Sequence, residues 1–159
     1  EPPTQNCTGE ECVILNTHAG NGLRVGASME TGLFKDITFR NITVLEHANF
    51  GIRSDHSDWA KCENISFENF FIEKPGYAIN IKIEKTRYSN DTGYRDERGS
   101  ISGLNFINVQ TAGGQMVLYG FGENYAIRNV LFKNCRVNGQ PLQKEDVEVN
   151  EFVYDLKVE

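Results

Sequence analysis

The stretch Ile37-Thr38-Phe39-Arg40-Asn41-Ile42 decides the fold, because the chain repeats its pattern three more times. The copies are Ile65-Ser66-Phe67-Glu68-Asn69-Phe70, Leu104-Asn105-Phe106-Ile107-Asn108-Val109 and Val130-Leu131-Phe132-Lys133-Asn134-Cys135. Each reads aliphatic, any residue, Phe, any residue, Asn, apolar. The asparagines fall 28, 39 and 26 residues apart. Periods of this size mean stacked supersecondary units, each covering the apolar face of the next. The alternation before each Asn is a strand pattern that sends the aliphatic residue and the Phe to one side. An Asn closing the strand tolerates left-handed backbone angles, and its amide bonds neighbouring main chain. Stacked at one corner, such asparagines also form a ladder. The pattern predicts an all-β chain, a right-handed parallel β-helix of about five coils. Phe39, Phe67, Phe106 and Phe132 then stand in one interior row.

A second strand lies between successive copies. It reads Gly22–Gly26, Phe50–Arg53, Tyr77–Ile83 and Met116–Tyr119, with the apolar residues Val44, Ile72 and Val137 before it or at the matching place. Repetition in one direction requires parallel pairing. The 39-residue step carries a polar insertion, Thr86–Gly99, and long loops in compact folds tend to hold function. The whole chain, 1–159, reads as one domain: an irregular segment over 1–10, coils over 11–139, and a C-terminal strand or cap over 140–159. Residues 1–10 are a poor cap, so the N-terminal end is expected to be covered by missing coils or by another chain.

Composition narrows the partners. With 16 basic and 22 acidic residues the net charge is −6, and no basic patch is visible, so a nucleic-acid partner is not expected. No apolar run reaches the ~18 residues of a membrane span, so no membrane partner is expected either. Cys7 and Cys12 lie close enough to form a small local disulfide or to stay free. No second Cys or His pair has zinc spacing, and no cofactor is implied. Cys135 fills the slot of Ile42, Phe70 and Val109, which suits a small buried hydrophobe. Sequons occur at Asn6, Asn41, Asn64 and Asn90, though Asn41 already has a turn role.

Three strings carry a family resemblance: Gly20-Asn-Gly-Leu-Arg-Val-Gly-Ala-Ser28, Phe34–Val44 with its closing Asn41, and Phe50-Gly-Ile-Arg-Ser54. Their order resembles the polygalacturonase family of glycoside hydrolases, pectin-degrading parallel β-helices, and specifically its C-terminal coils. There Gly-His-Gly-x-x-x-Gly-Ser is followed by an Asn-closed strand and then Gly-x-Arg-Ile-Lys. The resemblance spans roughly residues 9 to 137 and includes Ile81-Lys82-Ile83 followed by Tyr88. It implies a secreted, periplasmic or cell-surface protein acting on or binding a polysaccharide or oligosaccharide. It matches the family's Arg with Arg53, places Asn21 at the His and sets Asp55 at the Lys, a reversal of charge. The family's Asn-Thr-Asp motif is missing, and Gly9-Glu10-Glu11-Cys12 is the nearest string to its Gly-Asp-Asp. Inverting hydrolysis needs one carboxyl as acid and another as base.

The candidate catalytic residues are therefore Asp55, Asp58, Glu10, Glu11 and His18, and the candidate sugar-binding residues are Arg53, Asn21, Tyr88, Trp59 and His56. The run Arg53–Trp59 reads in three ways. It is an acid–base pair with a Trp to stack on a sugar, a metal site of Asp55, His56 and Asp58, or a solvated loop whose Trp covers the core edge. Tyr88 and Tyr94 with Arg87 and Arg95 line a saccharide groove or belong to a mobile insertion. Two functions stay open. One is a polygalacturonase-like glycoside hydrolase, present as a C-terminal portion without the family's aspartates. The other is a non-catalytic saccharide-binding or structural β-helix of the adhesin or tail-spike kind.

Overall fold

The computed structural model describes residues 2–16, 20–87, 89 and 97–159. Among them are eleven strands: β1 (Thr4–Asn16), β2 (Asn21–Arg24), β3 (Leu33–His56), β4 (Lys61–Ile83), β5 (Ser100–Thr111), β6 (Gln115–Tyr119), β7 (Ile127–Lys133), β8 (Arg136–Val137), β9 (Gln140–Pro141), β10 (Val147–Val149) and β11 (Val153–Val158). One 3-10 turn, Lys144–Asp146, lies between β9 and β10. Every pairing between these strands is parallel except the β8–β9 hairpin. The chain is a parallel β-solenoid of about five turns. One wall stacks β1, β3, β4, β5, β7 and β11. The next wall stacks β2, the second half of β3, the second half of β4, then β6 and β10.

The repeat works as read. Register places Cys7, Ile37, Ile65, Leu104, Val130 and Leu156 in one row. Two places along, Gly9, Phe39, Phe67, Phe106, Phe132 and Val158 form another. The four phenylalanines stack at centroid distances of 5.7, 5.2 and 4.6 Å, with interplanar angles of 17°, 10° and 15°. Phe67, Phe106 and Phe132 are fully buried, while Phe39 is half-buried because Gly9 offers no ring above it. Cys135 is buried in the apolar slot, and burial raises its thiol pKa. Cys62, on the neighbouring inward row, is pushed up to about 12 by burial.

The repeat's asparagines make the corner. Asn41, Asn69, Asn108 and Asn134 have φ of 57°, 56°, 54° and 51°, left-handed values that Asn accepts more readily than other side chains. Their amides form a ladder in which each coil donates to the one before it. Asn134 donates to Asn108 at 2.7 Å, Asn108 to Asn69 at 2.9 Å, and Asn69 to Asn41 at 2.9 Å. Asn41 in turn donates to Glu11 at 2.6 Å. A second left-handed column opens the same wall: Asn6, Asp36, Asn64, Gly103, Asn129 and Asp155. The sequon asparagines 6, 41 and 64 thus serve the backbone, and Asn90 lies outside the described residues. Replacing Asn69 by Ala should destabilise the fold by about 1–2 kcal/mol, because Ala keeps the Cβ strain of the left-handed corner and loses the amide that bonds Asn41 and Asn108. Asn69→Gly should recover part of that loss. Urea midpoints measure both, and an unaffected Asn69→Ala midpoint would mean that the corner does not depend on Asn.

Two boundaries are corrected. Residues 1–10 are not irregular as a block, because β1 begins at Thr4 and pairs in register with β3. The coils do not stop at 139, because β10 and β11 continue both walls and pair with β6 and β7. In both places the backbone keeps the repeat while the residue types change. Glu11 and Asp155 take left-handed corners usually held by Asn, and Gly9 and Val158 take Phe places.

Candidate functional site

The second wall carries a short repeat of its own. Asn21-Gly-Leu-Arg24 lies in register beside Phe50-Gly-Ile-Arg53, and that beside Tyr77-Ala-Ile-Asn80. Leu23, Ile52 and Ile79 point into the core, so the residues after them point out. Arg24, Arg53 and Asn80 therefore share one outward row. Asn21, Phe50 and Tyr77 share another, where Phe50 and Tyr77 stack at 5.2 Å with 16° between planes. The Arg53 guanidinium lies 4.0 Å above the Phe50 ring. Its Nη1 donates to Asn21 Oδ1 at 3.5 Å. Arg53 and Asn21 thus meet, whereas Tyr88 lies outside the described residues, as do His18, Tyr94 and Arg95.

Asp55 is the centre of charge on this face. Its Oδ1 accepts from Arg53 Nε at 2.9 Å and its Oδ2 from Arg24 Nη2 at 2.6 Å. The residue is only 4% exposed, so the two guanidiniums neutralise a nearly buried carboxylate. The reversal of charge at this position is therefore offset by Arg24, which the one-coil register brings across from β2. Arg24, Arg53, Asp55, Glu84, Thr86 and Arg87 line a cleft of about 360 Å³. Burial, then Asp55, raises the pKa of the half-buried Glu84, against the pull of Lys82 and Arg53.

The remaining catalytic candidates have structural duties. Glu10 accepts from Arg40 Nε at 2.6 Å, and Glu11 is the ladder acceptor already described. Asp58 is buried and accepts from the Met29 N–H at 3.0 Å. The solvated-loop reading of residues 54–58 is corrected, since all five are buried and Ser57 donates to the Ala27 carbonyl. His56 is fully buried and its Nε2 donates to the Ala60 carbonyl at 2.7 Å, so that nitrogen carries the proton. Burial lowers the pKa of His56, which keeps it neutral and within the core. It is closed off from solvent. Trp59 is half-buried. A Cβ at Gly99 would fall 1.9 Å from the Ala60 oxygen and 2.3 Å from His56 Cε1, so the insertion returns to the wall through a residue that only Gly can supply.

Among the described residues no group of three His, Cys, Asp or Glu is placed to hold a metal ion; Asp55 and Asp58 accept from protein donors, and His56 donates through Nε2 while its buried Nδ1 has no hydrogen-bond partner. All four cysteines are free, so Cys7 and Cys12 form no disulfide; both lie on the exposed β1. No helix among the described residues is long and apolar enough to cross a membrane. A second hollow, about 680 Å³, lies on the first wall among Asn64, Gly103, Asn105, Asn129, Asp155 and Lys157.

Reading by motif missed Arg24, Phe50, Tyr77 and Glu84. The signal for Arg24 was present, since Gly22-Leu-Arg24 and Gly51-Ile-Arg53 are the same tripeptide pattern one coil apart. No protein-family model matches this chain, and no curated protein or solved structure matches it.

Proposed function

We propose that the chain is a saccharide-binding β-solenoid of polygalacturonase-like build, which holds an extended sugar chain against its second wall. One observation carries this reading: a guanidinium-lined cleft continues into a stacked aromatic pair across successive coils. Aromatic rings offer an apolar face to a sugar ring, while arginine donors reach hydroxyl and carboxylate oxygens. The solenoid repeats these features along its axis at the spacing of the coils, which suits a linear polymer. The order of motifs around Gly20–Ser28 and Phe50–Ser54 supports the same family of ligands. Binding is favoured over hydrolysis because Asp55, Asp58, Glu10 and Glu11 are all engaged in ion pairs or hydrogen bonds.

Titration calorimetry with neutral and acidic oligosaccharides tests the reading. Arg53→Ala should weaken binding about tenfold to a hundredfold, the range for loss of a hydrogen bond to a charged group. Binding that is indifferent to Arg53→Ala would place the sugar elsewhere.

A further inference from the structure

Glu84 is the anomaly of the cleft. It follows β4, and its main-chain N–H donates to the His56 carbonyl at 3.1 Å, which fixes its position on the wall. Its side chain is half-buried among Arg24, Arg53, Asp55, Thr86 and Arg87. Asp55, beside it, satisfies both carboxylate oxygens with arginines. The Glu84 carboxyl makes no hydrogen bond or ion pair among the described residues. A carboxyl with no partner of its own, in a cleft walled by guanidiniums, occupies space that a ligand carboxylate would otherwise take.

Resting on the reading of this cleft as a sugar site, we propose that Glu84 is a specificity-determining residue that lowers the affinity of the cleft for acidic sugars relative to neutral ones. The charges facing the cleft give the reason. Arg24 from β2, Arg53 from β3 and Arg87 after β4 stand against Asp55 and Glu84. Lys82 on β4 adds a cation turned toward the Tyr119 ring of β6, 5.1 Å away, and the Tyr119 hydroxyl bonds Glu148 of β10. With Glu84 ionised, a ligand carboxylate meets a like charge at the guanidiniums it needs. With Glu84 protonated, the same carboxylate finds donors from both arginines that Asp55 holds in place. Asp55 is then a positioning residue and Glu84 the gate.

The experiment compares an oligogalacturonate with its fully methyl-esterified counterpart, equal in length but uncharged, by calorimetry on the whole chain and on Glu84→Gln. Gln keeps the shape and removes the charge, and a thermal melt confirms that the variant is folded. In the unsubstituted chain, affinity for the acidic ligand should rise relative to the ester as pH falls from about 7 to about 5, where uronate carboxylates remain ionised. In Glu84→Gln the acidic ligand should bind about tenfold tighter at neutral pH, with the ester unchanged and the pH dependence of the ratio gone. An unchanged ratio in Glu84→Gln, or a pH dependence that survives the substitution, overturns the proposal while leaving sugar binding intact. If neither ligand binds the unsubstituted chain or Glu84→Gln, the sugar-binding reading itself falls, and the gate with it.

Discussion

Truncating Phe106 to Ala should cost about 3–5 kcal/mol, the range for removing a buried aromatic ring. Phe106 is fully buried between Phe67 and Phe132, with centroids 5.2 and 4.6 Å away. Its loss opens a void in the middle of a single-file stack, where neighbours on both sides are pinned by strand register and cannot close it. It also removes two stacked pairs, each worth about 0.5–1.5 kcal/mol beyond area burial. A loss of that size is a large part of the stability of an ordinary domain. Phe39→Ala should cost less, because that ring is half-buried and stacks on one side only. Equilibrium urea melts of the two variants decide the matter. A loss below about 1 kcal/mol for Phe106→Ala would show that the ring row is not the core.

The second large effect is a missing activity. Inverting glycoside hydrolysis needs a carboxylic acid and a carboxylate base set far enough apart to admit water. Each such group contributes about 10²- to 10⁴-fold. Here Asp58 is buried beneath the Met29 N–H, Glu11 is consumed by the Asn41 amide, Glu10 by Arg40, and Asp55 by two arginines. Asn21, at the place of the family's histidine, has no proton to shuttle at neutral pH. Purified chain incubated with polygalacturonate should therefore release reducing ends at no more than a trace rate. Turnover near 1 per second, the lower end of ordinary enzymes, would show that Glu84 or a carboxylate with a structural partner does the chemistry.

The solenoid was legible because its repeat is written in side chains that answer to one requirement each. Phe fills the interior row, aliphatic residues flank it, and Asn accepts the left-handed corner. At the edges the requirement stays but the residue changes. Glu11 and Asp155 make the same turn, and Gly9 and Val158 hold the same register, without matching the pattern. The site was less legible for a related reason. Arg53 stood out by family resemblance, but Arg24 pairs with Asp55, 31 residues away, and Glu84 joins the same cleft only through the stacking of the coils. Burial at residues 54–58 was hidden by their polarity, since their hydrogen-bond partners lie in the preceding coil or a turn further on, as Ala27, Met29 and Ala60 do. Polar residues whose bonds are satisfied this way look, in sequence, like a surface loop.

Residue-resolved NMR during an oligosaccharide titration tests most directly whether sugar binds on the second wall at Arg53. Shifts should concentrate at Asn21, Arg24, Phe50, Arg53, Tyr77 and Glu84, which abut the cleft or its aromatic extension. Shifts confined to Asn105, Asn129 and Lys157, in the larger hollow of the first wall, would contradict binding there.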